Sequence, residues 1–227
     1  MKSIYLYGLK YELKSIKTIV VSLVFTGLSF LIANFSPSLT IAINNNGVSP
    51  AIDTLFVLYM FLGFLFSSIL FGGIISREIE TETIRYISPY LSRKKIYLAK
   101  YLVTLTYFAL MIVFSLTILF VSRGAIVIPL ASLANILVFF LYTLALVLLI
   151  STVSRNERTA TLIGIVLSLL FPIIFTYTFF KDYTLLNILN WLLPFRYLNS
   201  GWEILILLLL AILVYILGAT LFERKSL

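Results

Sequence analysis

Few side chains in this sequence can do chemistry. Its 227 residues include no His and no Cys, and only 11% are charged. Without His, the commonest general base and metal ligand are missing; without Cys, disulfides and thiolate metal sites are excluded. The charge that exists is concentrated. Ser76 to Lys100, SREIETETIRYISPYLSRKKIYLAK, holds three Glu and six Lys or Arg. Its chemistry is that of non-covalent contact. Ile84, Ile87 and Leu91 form a small apolar face, flanked by Tyr86 and Tyr90 and opposed by Glu80, Glu82 and Arg85. A mixed, aromatic-rich knob of this kind suits docking into a cleft on a partner. The same composition also serves a solvated connector whose Lys and Arg set membrane topology.

Other chemistries lack their parts. A P-loop needs Gly-Lys-Ser/Thr to wrap phosphates, and none of the ten glycines is followed by Lys. Coupled carriers keep ionisable groups inside the membrane. Here Asp53, Asp182 and Glu203 fall at one set of span ends, and Glu157 and Glu223 at the other. An intramembrane hydrolase would need a nucleophile with its base, or metal ligands. The expectation is a chain that is not an enzyme and binds no cofactor itself, moved by work delivered from outside.

The elements that position the charged stretch follow from composition. With 61% hydrophobic residues and a mean hydropathy of +1.10, a bilayer must be the solvent for most of the chain. Runs of spanning length are 18–35, 55–75, 101–121, 129–153, 159–180 and 204–222. Their continuity, without polar alternation, favours helices over a barrel. The expected fold is therefore all-α, a single transmembrane domain over 1–227, with six spans and both termini on one side. Fourteen Lys and Arg fall on the side of the termini and the charged stretch, against Arg123, Lys181 and Arg196 opposite. The positive-inside rule puts that majority in the cytoplasm, in a plasma or inner membrane. The net charge of +8 then reflects topology, not nucleic acid.

Residues 1–17 lack the apolar core and cleavage site of a secretory signal and are expected in the mature protein. Leu6, Leu9, Leu13, Ile16 and Val20 recur at spacings of three and four beside Lys10, Lys14 and Lys17. This predicts an amphipathic helix lying in the membrane plane; a cytoplasmic extension of the first span is the alternative. In the charged stretch, 75–87 is predicted to continue the second span as one helix, supported by Arg77–Glu80 and Glu82–Arg85 pairs. Pro89 should break it near Ser88, and Ser92 should cap the next helix.

In order along the chain, the stretch reads Glu78 and Glu80, Thr83-Ile84, Ser88-Pro89, Ser92-Arg93 and Lys100. It resembles the first cytoplasmic loop of type-2 ABC transporter permeases, where acidic residues precede Gly-Thr-Leu, Ser-x-Pro, Arg and Lys. Glu82 stands where glycine is common. Leu193 to Leu198, LPFRYL, resembles the Pro-(Leu/Phe)-Arg-Tyr block before the last span of that family. The resemblance implies a permease subunit paired with a second copy or a homologue, on two ABC ATPase subunits that carry the ATP and Mg. It implies that Glu78, Glu80, Glu82, Thr83, Ile84, Arg85, Ile87 and Pro89 form a coupling helix seated in the ATPase. It also implies that the region of Pro194, Phe195, Arg196 and Tyr197 closes the cavity on the outside. The expected cargo is hydrophobic or amphipathic: a drug, peptide or lipid. Polysaccharide, ion or cofactor export is the alternative, as is a membrane anchor or regulator that transports nothing.

Residues 185–193 are apolar but too short to cross, so a re-entrant or surface-lying helix is predicted, with Pro194 at its break. Asn44 to Gly47 reads as a turn. Ala160, Gly164 and Ser168 recur every four residues and fit close helix packing, within the bundle or across a dimer. Gly72-Gly73 fits a hinge or close packing. Tyr59, Phe61, Phe64, Phe66 and Phe71 in the second span, with Phe171, Phe175, Tyr177, Phe179 and Phe180 in the fifth, would give an aromatic cavity if these spans line one.

Overall fold

In lipid a run of apolar residues can satisfy its backbone only by closing its own hydrogen bonds, which a helix does. The computed structural model describes residues 2–39, 50–87, 90–123, 130–180, 191–197 and 201–225, and no strand occurs among them. The helices are α1 (Lys2–Leu13), α2 (Ile16–Leu39), α3 (Pro50–Phe71), α4 (Ser76–Glu80), α5 (Thr83–Ile87), α6 (Arg93–Arg123), α7 (Leu130–Val153), α8 (Glu157–Phe180) and α9 (Ile204–Arg224). Short 3-10 turns occupy Pro194–Tyr197 and Gly201–Glu203.

Six stretches are long and apolar enough to span: Ile16–Asn34, Thr54–Glu80, Arg93–Ser122, Leu130–Val153, Glu157–Thr178 and Gly201–Arg224. The chain is a multi-pass membrane protein. These stretches fall on the six expected runs. The helix of the third run, α6, starts at Arg93, directly after Ser92 where a cap was expected, and the Ser92 carbonyl accepts its first bonds from Lys95 and Ile96. Pro129, the Asn44–Gly47 turn and residues 185–190 lie outside the described residues.

Around α7, the most buried span, are packed α3, α6, α8 and α9. Lipid offers no hydrophobic drive between helices, so fit and hydrogen bonds must hold them. Aromatic rings supply much of the fit. Tyr59 stacks on Phe25 at 4.4 Å, Phe140 on Phe108 at 4.6 Å, and Phe71 sits edge-on to Tyr107 at 5.6 Å. The Tyr59 hydroxyl also meets Ser115 Oγ at 2.6 Å. Tyr59, Phe64 and Phe71 are fully buried in this core, so they do not line an open aromatic path. Phe61 is more than half exposed, and no side chain is described for Phe179 and Phe180.

The small residues of α8 face inward. Ala160, Gly164 and Ser168 are buried, and a Cβ on Gly164 would lie 2.9 Å from Ser68 Cβ on α3. One on Gly72 would lie 3.0 Å from Thr161 Cα, and one on Gly73 2.2 Å from Glu157 Cγ. Of the open alternatives, the structure takes packing within the chain for the stripe and close approach for the glycine pair.

α1 is an element of its own, not an extension of the first span. Its chain turns at Lys14 and Ser15, whose amides donate back to Tyr11 and Glu12 carbonyls. One face packs on α6: Tyr5 meets Thr106 through their hydroxyls at 2.8 Å, and Gly8 lies against Val103. Of the expected stripe, Leu6, Leu13, Ile16 and Val20 are exposed and Leu9 is half-buried.

Candidate functional site

The charged stretch was expected as one helix through Ile87; it is two, separated from α3 and from each other. Residues 72–75 form turns, and at Gly72 and Gly73 α8 approaches so closely that a side chain would have no room. α4 then ends after five residues. Thr81 bonds its hydroxyl back to the Arg77 carbonyl at 2.9 Å, and the Glu82 amide donates to the Ile79 carbonyl at 3.1 Å. Glu82 has a φ of 55°, the left-handed position that closes helices and favours glycine. α5 starts at the next residue.

Every exit from this bracket is fixed to the bundle. Ser76 is fully buried, and the amides of Ile75 and Ser76 both donate to Ser151 Oγ of α7, at 3.0 and 3.1 Å. No side chain of its own caps α4, so Ser151 does the work of an N-cap from another helix. Glu78 pairs with Lys100 of α6, both side chains less than a fifth exposed. Such a pair fixes position, because either charge left alone there is costly. Glu80 accepts the Glu157 amide at 3.1 Å, placing a carboxylate on the first turn of α8. Glu157 in turn pairs with Lys17 of α2 at 3.3 Å. The expected Arg77–Glu80 pair is therefore replaced. Arg77 instead lies over the Tyr11 ring of α1, 5.2 Å from its centroid.

Glu12 joins this cluster from α1. Burial pushes its carboxyl above the usual carboxylate range, while Lys100 and Arg77 pull it back. At the other end of the stretch, Arg93 donates to the carbonyls of Glu223 and Lys225 that end α9, and Lys94 pairs with Glu223 at 3.0 Å. Lys225 donates to the carbonyls of Thr152 in α7 and of Ser154 just past its end, at 2.6 and 3.2 Å. Cations thus satisfy the open carbonyls of two helix ends.

What remains outward is the tip. Ile84 is buried in the core with Leu91 packed against it, which corrects the expectation of an outward apolar face. Glu82, Thr83, Tyr86 and Tyr90 are exposed, Tyr86 and Tyr90 at 78% and 86%. Of the expected coupling residues, Glu78, Glu80 and Ile84 are anchors, and Glu82 and Thr83 are surface. The side chains of Arg85 and Ile87, and all of Pro89, lie outside the described residues.

The Pro194–Tyr197 block converges on the far part of the bundle. The Phe195 ring lies 5.6 Å from Phe139 of α7, 6.0 Å from Phe175 of α8 and 6.4 Å from Phe61 of α3. Phe139 stands nine residues into α7, roughly 13 Å along its axis at 1.5 Å per residue, so Phe195 dips well between the helices. Pro194 is buried. Tyr197 is buried too and donates to the Trp191 carbonyl at 2.7 Å, while Tyr142 donates to that of Leu192 at 2.8 Å. Arg196 stacks over the Trp191 ring at 4.1 Å. All four expected residues come together here.

Sequence reasoning missed Ser151, Glu12 and Glu157. A serine in an apolar run and single acids near span ends carry no local pattern; their roles come from residues about 65 to 88 positions away. Compared with protein-family models and with curated proteins, the chain matches none.

Proposed function

We propose that this chain is the membrane subunit of an ATP-driven exporter of the type-2 ABC kind. Two copies, or one copy and a homologue, sit on two ATPase subunits that hold ATP and Mg. The observation that carries the reading is the build of the charged bracket: Ser151, Lys100 and Glu157 fix it to three helices, while Thr83, Tyr86 and Tyr90 face outward. Force applied to such a tip passes into α6, α7 and α8 instead of dissipating in a loose loop. The Lys and Arg majority puts this tip and both chain ends in the cytoplasm of a plasma or inner membrane. α1, with its stripe outward, lies at the membrane surface. At the opposite end, Phe195 among Phe61, Phe139 and Phe175 forms an apolar plug that opens when α3 and α8 part from α7. An apolar gate fits a hydrophobic or amphipathic cargo.

The test is purification from the native membrane. The wild-type chain should carry an ATPase with it, and Tyr86→Ala with Tyr90→Ala should lose that partner and ATP-dependent efflux while the bundle stays folded. Unchanged association and efflux in the double variant would refute the docking surface. A wild-type preparation free of any ATPase would refute the whole reading and favour a membrane anchor.

A further inference from the structure

At the bend between α1 and α2 lies a groove of about 440 Å³, lined by Tyr7, Lys10, Tyr11, Lys14, Ser15 and Ile16. The bracket uses none of it except the Tyr11 ring, over which Arg77 sits. Lys10 stands in the last turn of α1 and Lys14 at the bend that follows it, and both line the groove. Both are exposed, and among the described residues neither pairs with a carboxylate, whereas Lys17, Lys94 and Lys100 each do. Glu12, the acid of α1, feels the opposite charges of Lys100 and Arg77. The groove therefore presents two free ammonium groups with a third cation behind Tyr11. α2 begins at Ile16, so first-turn amides that lack an intrahelical acceptor open at the same bend.

The position of the groove decides which anion it suits. The first spanning stretch starts at Ile16, which puts the groove where a helix enters the bilayer. Its cations stand beside apolar surface: Tyr7 is 74% exposed and Ile16 79%. A free anion has no use for that surface, whereas a phospholipid needs both parts. We propose that this groove binds the headgroup of an anionic phospholipid. Lys10 and Lys14 hold the phosphate, and Tyr7 and Ile16 lie against the glycerol and first acyl carbons. Bound lipid fixes the bend between α1 and α2. The site does not depend on an ATPase partner.

The test uses the full chain in nanodiscs of phosphatidylcholine with and without phosphatidylglycerol, with retained lipid read by native mass spectrometry. Wild type should retain phosphatidylglycerol in preference to phosphatidylcholine. One basic residue near an anionic surface is worth about a factor of five, so Lys10→Gln with Lys14→Gln should weaken retention about 25-fold. Lys10→Arg with Lys14→Arg should hold it, as should Lys95→Gln elsewhere on the charged surface. The single Gln variants, each expected to lose about fivefold, decide the matter should the double variant not fold. Equal retention of both lipids by wild type, or undiminished retention by the Gln variants, would overturn the proposal. So would inorganic phosphate alone raising the melting temperature as far as phosphatidylglycerol does, which would make this a free-anion site.

Discussion

Glu82 holds a φ of 55° at the junction of α4 and α5, where an L side chain costs about 1–2 kcal/mol. Glycine would remove that cost but add disorder to the unfolded chain. Glu82→Gly should thus raise stability by about 0.5–1 kcal/mol, seen as a higher melting temperature in detergent. An unchanged or lower value would mean that contacts of the Glu82 side chain outweigh the strain. The position was partly legible: the family that the stretch resembles commonly has glycine here, and left-handed backbone is a physical reason for it. Ser151 was not legible, because a hydroxyl in an apolar helix looks the same whether it bonds its own turn or caps another helix. Glu78 and Lys100 stood out as charges, yet nothing local showed that they pair with each other and not with a partner.

At the scale of elements, six spans could be read because length and apolarity are properties of contiguous residues. The break at 72–75 could not, since it lies where α8, far along the chain, comes close. α5 ends at Ile87, beside the break expected from Pro89, but residues 76–87 have helical composition and gave no sign of the earlier break at Gly72 and Gly73, which are placed for close approach. The bracket's dependence on α7 is open to test. Ser151→Ala leaves two buried amides without an acceptor, at a cost of about 1–3 kcal/mol. Hydrogen exchange should speed up in 75–87 while α9 keeps its protection. Unaltered exchange in 75–87 would show that the bracket is held by its ion pair and not by this cap. The Pro194–Tyr197 block was readable as a motif, but its insertion between α3, α7 and α8 required the three-dimensional arrangement of Phe61, Phe139 and Phe175.

Across the whole molecule, burial is uneven in a way that bears on mechanism. α7 is the fixed centre, while α8 and α9 turn mostly apolar, exposed faces outward, such as Leu162, Val166 and Leu169 on α8. α8 is thus tied to the bracket at one end and packs on the bundle through its small-residue face alone, the opposite face being exposed. What meets the bracket's tip therefore decides how the molecule is moved. Because the chain has no Cys, a single cysteine at position 86 gives an unambiguous cross-link. With Tyr86→Cys in whole cells, a short membrane-permeant cross-linker should join the chain to a nucleotide-binding protein, and ATP should change the yield. Cross-linking to no such protein, or labelling of that cysteine by an impermeant reagent from outside intact cells, would contradict the account.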